Sequence, residues 1–85
     1  VDIDWEYPRA PRNRGIASSP QDRANFTLLL QAIRRALDRA GGKDRRSTLS
    51  ISMADGPFVD GIDIAAVAPL VDWFDLMSYD LYGAW

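Results

Sequence analysis

The chain has no cysteine and no histidine among its 85 residues. Disulfides, thiol nucleophiles, Ser-His-Asp triads and zinc sites of the usual ligand types are therefore excluded for this segment. Long hydrophobic runs are also missing. No stretch is apolar enough to cross a bilayer, and these residues hold no signal-peptide pattern. Ten basic residues against twelve acidic ones leave a net charge of −2. So small an imbalance argues against binding to nucleic acid or an anionic membrane. What remains is 47% hydrophobic residues with three each of Trp, Tyr and Phe, a globular composition for at most one small domain. The chain opens on a strand-like segment with neither a methionine nor a lead-in. The expectation is a piece of a longer protein, truncated at both ends.

That opening segment is VDIDWEYP, residues 1–8. A strand sends alternate side chains to opposite faces. Over residues 1–7, Asp2, Asp4 and Glu6 then share one face, and Val1, Ile3 and Trp5 the other. Pro8 ends the strand. Residues 9–19 read as a solvated loop carrying Arg9, Arg12 and Arg14. A helix follows, with Ser19 as N-cap, Pro20 at the first helical position and Asp22 three residues after the cap. Phe26, Leu29, Leu30, Ile33 and Leu37 form its apolar stripe; Arg34, Arg35, Asp38 and Arg39 fall off it, and Gly41 and Gly42 stop it. Asn25-Phe26-Thr27 fits a glycosylation sequon, but its place inside a helix argues against use.

A second strand is predicted over 47–54, with Leu49, Ile51 and Met53 on one face. The turn-forming stretch ADGPF comes next, then a short helix over 62–68 with Asp63 at its start and Pro69 at its end. A third strand is predicted over 71–79. Strands alternating with helices imply parallel pairing through right-handed crossovers. Three such strands cannot cover both faces of a parallel sheet, so the economical completion is a (β/α)8 barrel, whose functional groups gather at the C-terminal strand ends. Glu6 and Tyr79 both lie at such ends. A doubly wound sheet is second choice, without a Gly-rich phosphate turn to support it.

The acids admit several readings. A solvent-facing edge strand would carry them harmlessly, although that suits an antiparallel sheet better. Inside a barrel their Cα atoms would lie about 6.6 Å apart, and like charges so close oppose full ionisation in a dry site. A general acid at the open mouth fits that position, with Glu6 as donor, Asp4 as partner and Asp2 beneath. Mg²⁺ or Ca²⁺ binding is a third possibility, but no carbonyl-rich or Asn-rich loop completes such a site.

VDIDWEYP resembles the catalytic strand of family 18 glycoside hydrolases, the chitinases, whose signature is Asp-Gly-x-Asp-x-Asp-x-Glu. Asp2, Asp4 and Glu6 match its last three acids, and the first Asp and the Gly would precede Val1. LMSYDLYGAW resembles the family's later Met-x-Tyr-Asp stretch through Met77, Tyr79 and Asp80. The resemblance runs along the whole chain. It implies an α/β fold in which residues 1–85 are part of a catalytic (β/α)8 TIM barrel, about strands four to six.

The resemblance also implies substrate-assisted hydrolysis of β-1,4-linked N-acetylglucosamine, with no cofactor. Glu6 would act as general acid and base, Asp4 would orient the sugar's acetamido group, Asp2 would support Asp4, and Tyr79 would bind the acetamido carbonyl. Met77, Asp80, Tyr82 and Trp85 would bind substrate, the last two by stacking. Alternation sets Asp80 opposite Tyr79, so the chain must bend there if both touch sugar. Trp5 and Trp73 are expected to pack. The implied partner is chitin or its oligosaccharides, for a secreted monomer. The alternatives are an endo-β-N-acetylglucosaminidase and a non-catalytic chitin-binding lectin of the same fold, the latter disfavoured by the presence of Glu6, Asp4 and Tyr79.

Overall fold

The computed structural model describes residues 1–84. Three parallel strands lie side by side in chain order: β1 (Asp2–Ile3), β2 (Ser50–Ala54) and β3 (Trp73–Met77). Helix α1 (Asp22–Gly41) connects the first pair, and the four-residue α2 (Ile64–Val67) lies between the second. The register aligns Asp2 with Ser50, Ser50 with Trp73 and Ala54 with Met77. A small parallel sheet with flanking helices, consistent with part of a (β/α)8 barrel, is what the alternating pattern required.

One face of the sheet is packed. Leu49, Ile51 and Met53 are buried against Phe26 and Leu30 of α1 and Val67 of α2, with Ile3, Trp5 and Phe74 at the margin. Trp5 meets Phe26 edge-on, at 5.4 Å between ring centroids. Truncating the buried Phe26 would cost about 3–5 kcal/mol. The half-buried Arg23–Asp63 ion pair, N to O 3.2 Å, also joins α1 to the start of α2, but a pair so open to solvent contributes about 1 kcal/mol or less. Packing therefore holds the helices to the sheet.

Several boundaries and faces differ from expectation. The first strand pairs only over Asp2–Ile3, not over 1–7, because the chain leaves the ladder ahead of Pro8. Exposure still alternates through that stretch: Asp2, Asp4 and Glu6 are exposed, while Ile3, Trp5 and Tyr7 are half-buried. The second and third strands are likewise shorter than 47–54 and 71–79. ADGPF runs into a 3-10 turn at Gly56–Gly61, and α2 is shorter than 62–68. Asp63 does cap α2, its carboxylate accepting the Ala66 N–H at 3.2 Å.

At the start of α1, the Ser19 hydroxyl accepts the Gln21 N–H and the Asp22 carboxylate accepts the Ser19 N–H at 2.8 Å. Regular helix begins only at Asp22, with Gln21 and not Ser19 at the N-cap, because Pro20 and Gln21 form a turn ahead of it. Gly42, at φ 65°, closes the helix in a conformation that favours glycine. Leu29 is 42% exposed, whereas Arg34 is buried. These residues flank the Phe26–Leu30–Ile33–Leu37 stripe on opposite sides. The helix rolls toward Arg34, whose guanidinium finds Asp38, Asp72 and the Ser47 carbonyl.

Candidate active site

The second face of the sheet carries no helix. Register sets Asp2, Ser50 and Trp73 in one row, Ser52 and Asp75 in the next, and Ala54 and Met77 in the one nearest the C-terminal strand ends. In a (β/α)8 barrel the helices lie outside, and a helix-free face such as this one is the side that would line the interior. Its polarity follows from the alternation in β2: every second residue of Leu49-Ser50-Ile51-Ser52-Met53 is apolar and buried. Trp73 belongs to this row. It is 47% exposed and its indole N–H donates to Asp75 at 3.2 Å. The expected packing role for Trp73 is therefore corrected: its side chain lies on the helix-free face, in the row of Ser50, and not in the core.

At the C-terminal ends of the strands lies a cavity of about 140 Å³. Glu6 and Tyr7 line it beyond β1, Ala54 and Asp55 at the end of β2, and Met77, Tyr79 and Asp80 at the end of β3. Tyr79 and Asp80 both reach it because the strand stops at Met77. The Ser78 N–H then turns back to the Leu76 carbonyl at 3.0 Å. Such a bend is what Tyr79 and Asp80 need if both are to touch one substrate.

The phenol of Tyr7 sits among acids. Burial pushes its pKa up, hydrogen bonding to Glu6 adds to that, and the charges of Glu6 and Asp4 act in the same direction. Tyr7 therefore stays a protonated donor beside the Glu6 carboxyl. The cavity thus combines a carboxyl at its mouth, the phenolic O–H donors of Tyr7 and Tyr79, the carboxylates of Asp55 and Asp80, and the thioether of Met77 as an apolar surface. Such a set can pass a proton to a bound oxygen and hold a neighbouring carbonyl.

Not every expected residue lines this cavity. Asp2 lies lower on the sheet, accepting from the Ser50 hydroxyl at 2.7 Å and the Ser52 hydroxyl at 3.4 Å. Asp4 is exposed and does not line the cavity, although its charge reaches Tyr7. Tyr82 is 91% exposed and stands apart. Trp85, expected as a stacking platform, lies outside the described residues. Tyr7 and Asp55 were not anticipated. The signal for Asp55 was its place just past a parallel strand. Tyr7 carried no such signal, since simple alternation turns it away from Glu6.

The sequence profile described as "Glycosyl hydrolases family 18" matches residues 1–85. Chitinase A1 of Niallia circulans is 42% identical over 87 residues, covering all of this chain and 12% of its own length. A family 18 N-acetylglucosaminidase structure from Paenibacillus barengoltzii is 48% identical, with a TM-score of 0.84, and covers 98% of this chain and 25% of its own. Chitinase ChiW from Paenibacillus sp. str. FPU-7 is 36% identical with a TM-score of 0.87, over 99% of this chain and 10% of its own. The chain thus spans 12–19% of the length of the curated relatives it matches.

Proposed function

The chain belongs to glycosyl hydrolases family 18, and from that premise we propose that the full-length protein hydrolyses β-1,4-linked N-acetylglucosamine polymers, chitin or its oligosaccharides, with net retention. The observation that carries the reading is the shared cavity at the C-terminal strand ends, lined by Glu6 from the chain beyond β1, by Met77 at the end of β3 and by Tyr79 just past it. In this reading residues 1–85 are part of a catalytic (β/α)8 barrel, about its fourth to sixth strands, in a secreted, monomeric protein. The exposed Tyr82 is a stacking surface for a sugar ring beyond the cavity.

The chemistry runs in two steps. Glu6 gives its proton to the glycosidic oxygen as the bond from that oxygen to the anomeric carbon breaks. The carbonyl oxygen of the same sugar's 2-acetamido group bonds to the anomeric carbon, giving an oxazolinium ion and releasing the leaving sugar as an alcohol. Asp4 accepts the acetamido N–H and offsets the positive charge, with Asp2 beneath it. Tyr79 donates its O–H to the acetamido oxygen, and Asp80 accepts from a sugar hydroxyl. The Glu6 carboxylate then removes a proton from water, whose oxygen attacks the anomeric carbon and reopens the acetamido group. A nucleophile already tethered to the reacting carbon gains the effective molarity of an intramolecular reaction.

Proton NMR of the first product released from an N-acetylglucosamine oligomer tests this reading. The β-anomer is expected to appear first, with no cleavage of the matching glucose oligomer, which has no acetamido group. A first-formed α-anomer, or equal cleavage of the glucose oligomer, would overturn it. The likeness to an N-acetylglucosaminidase favours a second reading in which single N-acetylglucosamine units are released, and the sizes of the first products separate the two.

A further inference from the structure

The segment that carries Glu6 is held at two points by the 3-10 turn that follows β2. The Phe58 ring is stacked on Tyr7, with centroids 4.1 Å apart and planes inclined by 28°. The Arg14 guanidinium carbon lies over that Phe58 ring, 5.8 Å from its centroid. Arg14 belongs to a second 3-10 turn, Arg12–Arg14, in the loop that follows Pro8. Three residues after Phe58, Gly61 lies against Pro8. A Cβ on Gly61 would stand 2.0 Å from the Pro8 carbonyl oxygen, and both residues are buried. Only glycine permits that approach.

Tyr7 and Pro8 are thus gripped by the neighbouring loop, one through a ring face and the other through bare backbone. Tyr7 is bonded in chain directly to Glu6, and both line the cavity. Phe58 does not line it. Its half-buried ring is spent on Tyr7 and Arg14 instead.

We propose that Phe58, braced by Arg14, is a positioning residue that fixes the Tyr7 ring and through it aims the Glu6 carboxyl at the glycosidic oxygen. This rests on the reading of Glu6 as proton donor. The physical reason is the steep dependence of proton transfer on geometry: a shift of about 1 Å in a reacting group can cost 10²-fold in rate. A ring clamp on the adjacent residue limits such a shift without touching substrate. The loss should therefore fall on kcat and leave KM nearly alone.

The test uses the full-length protein with an aryl glycoside of di-N-acetylchitobiose, comparing Phe58→Leu, Phe58→Tyr and Glu6→Gln with the wild type. Melting temperatures set an assay temperature at which every variant is folded. Phe58→Leu keeps apolar bulk but removes the stacked ring, and kcat is expected to fall about 10-fold to 100-fold with KM within about threefold. Phe58→Tyr keeps the ring and should restore most of the rate. Wild-type kcat in Phe58→Leu, or a loss that appears in KM and is not rescued by Phe58→Tyr, beside a collapsed Glu6→Gln, overturns the clamp and leaves the proposed function standing. A wild type that does not cleave, or a Glu6→Gln that cleaves as well as the wild type, removes the underlying reading and the clamp with it.

Discussion

Tyr79 is 69% exposed and lines the cavity from the chain beyond β3, across from Glu6. Its value in the proposed reaction lies in one hydrogen bond that orients the acetamido oxygen toward the anomeric carbon. A neutral hydrogen bond contributes about 0.5–1.5 kcal/mol, which converts to about 2-fold to 10-fold in rate. Tyr79→Phe, which keeps the ring and removes only the hydroxyl, is therefore expected to lower kcat/KM by that factor on N-acetylglucosamine oligomers. A steady-state comparison that finds an unchanged value would remove Tyr79 from the chemistry. At this scale the sequence was informative where backbone pattern sufficed. Glu6 and Tyr79 could be placed near the C-terminal strand ends from the expected strand bounds, although pairing stops earlier, at Ile3 and Met77, and a bend ahead of Asp80 was required only if Asp80 and Tyr79 both touch sugar. Tyr7 escaped because its position depends on how the chain leaves the strand, which side-chain periodicity does not encode, and Asp55 because its signal was its place past a strand end and not the alternation.

Among the elements, the opposite ends of the strands have a different character. Asp72, just ahead of β3, accepts the Leu49 N–H at 2.8 Å and Arg46 at 2.9 Å, and lies 3.5 Å from Arg34 of α1. The Leu49 backbone bond, then the Arg46 bond, and the charges of Arg46 and Arg34 together lower its pKa below the ordinary carboxylate value, against a smaller opposing effect of burial. A depressed folded-state pKa contributes stability that is fully present above the unfolded value of about 3.9 and is lost as pH falls through the lower folded value. Asp72→Asn is thus expected to melt below the wild type at pH 6–7, with the gap closing as the pH is taken below about 4. Calorimetry at several pH values checks this, and a gap that is absent at neutral pH or constant with pH would contradict it. The network was hidden in the sequence because Arg34 reads as a polar residue off the apolar stripe. Its burial becomes visible only when a distant loop supplies Asp72 and the Ser47 carbonyl. The glycine stop of α1 and the Asp63 cap of α2 were legible, since local backbone conformation and hydrogen bonding decide them, whereas the N-cap of α1 lies at Gln21 and not at Ser19.

As a whole, the chain is a sheet with one packed face and one polar face, and its apolar surface is unevenly covered. Leu28 and Leu29 on α1, Ile64 on α2 and Leu76 on β3 are all more than 40% exposed. Neighbouring strands and helices cover such surfaces in a closed barrel. The strand–helix alternation made the parallel topology legible, because few connections join parallel strands. The face assignment of Trp73 was not legible, since an aromatic within a strand reads as core until register sets it beside Ser50. The cavity lies at the upper edge of the polar face and the anchoring network of Asp72 at its lower edge, so the proposed chemistry and the ion-pair network occupy opposite ends of the sheet. The central claim, that Glu6 is the proton donor at the upper end, is tested most directly by one measurement: turnover of a di-N-acetylchitobiose aryl glycoside by the full-length protein and its Glu6→Gln variant. The variant keeps the shape of the side chain without an acidic proton. A loss of about 10²-fold or more, the scale of general-acid catalysis, with oligomer binding retained, is the result the account predicts; equal rates in the two proteins would contradict it.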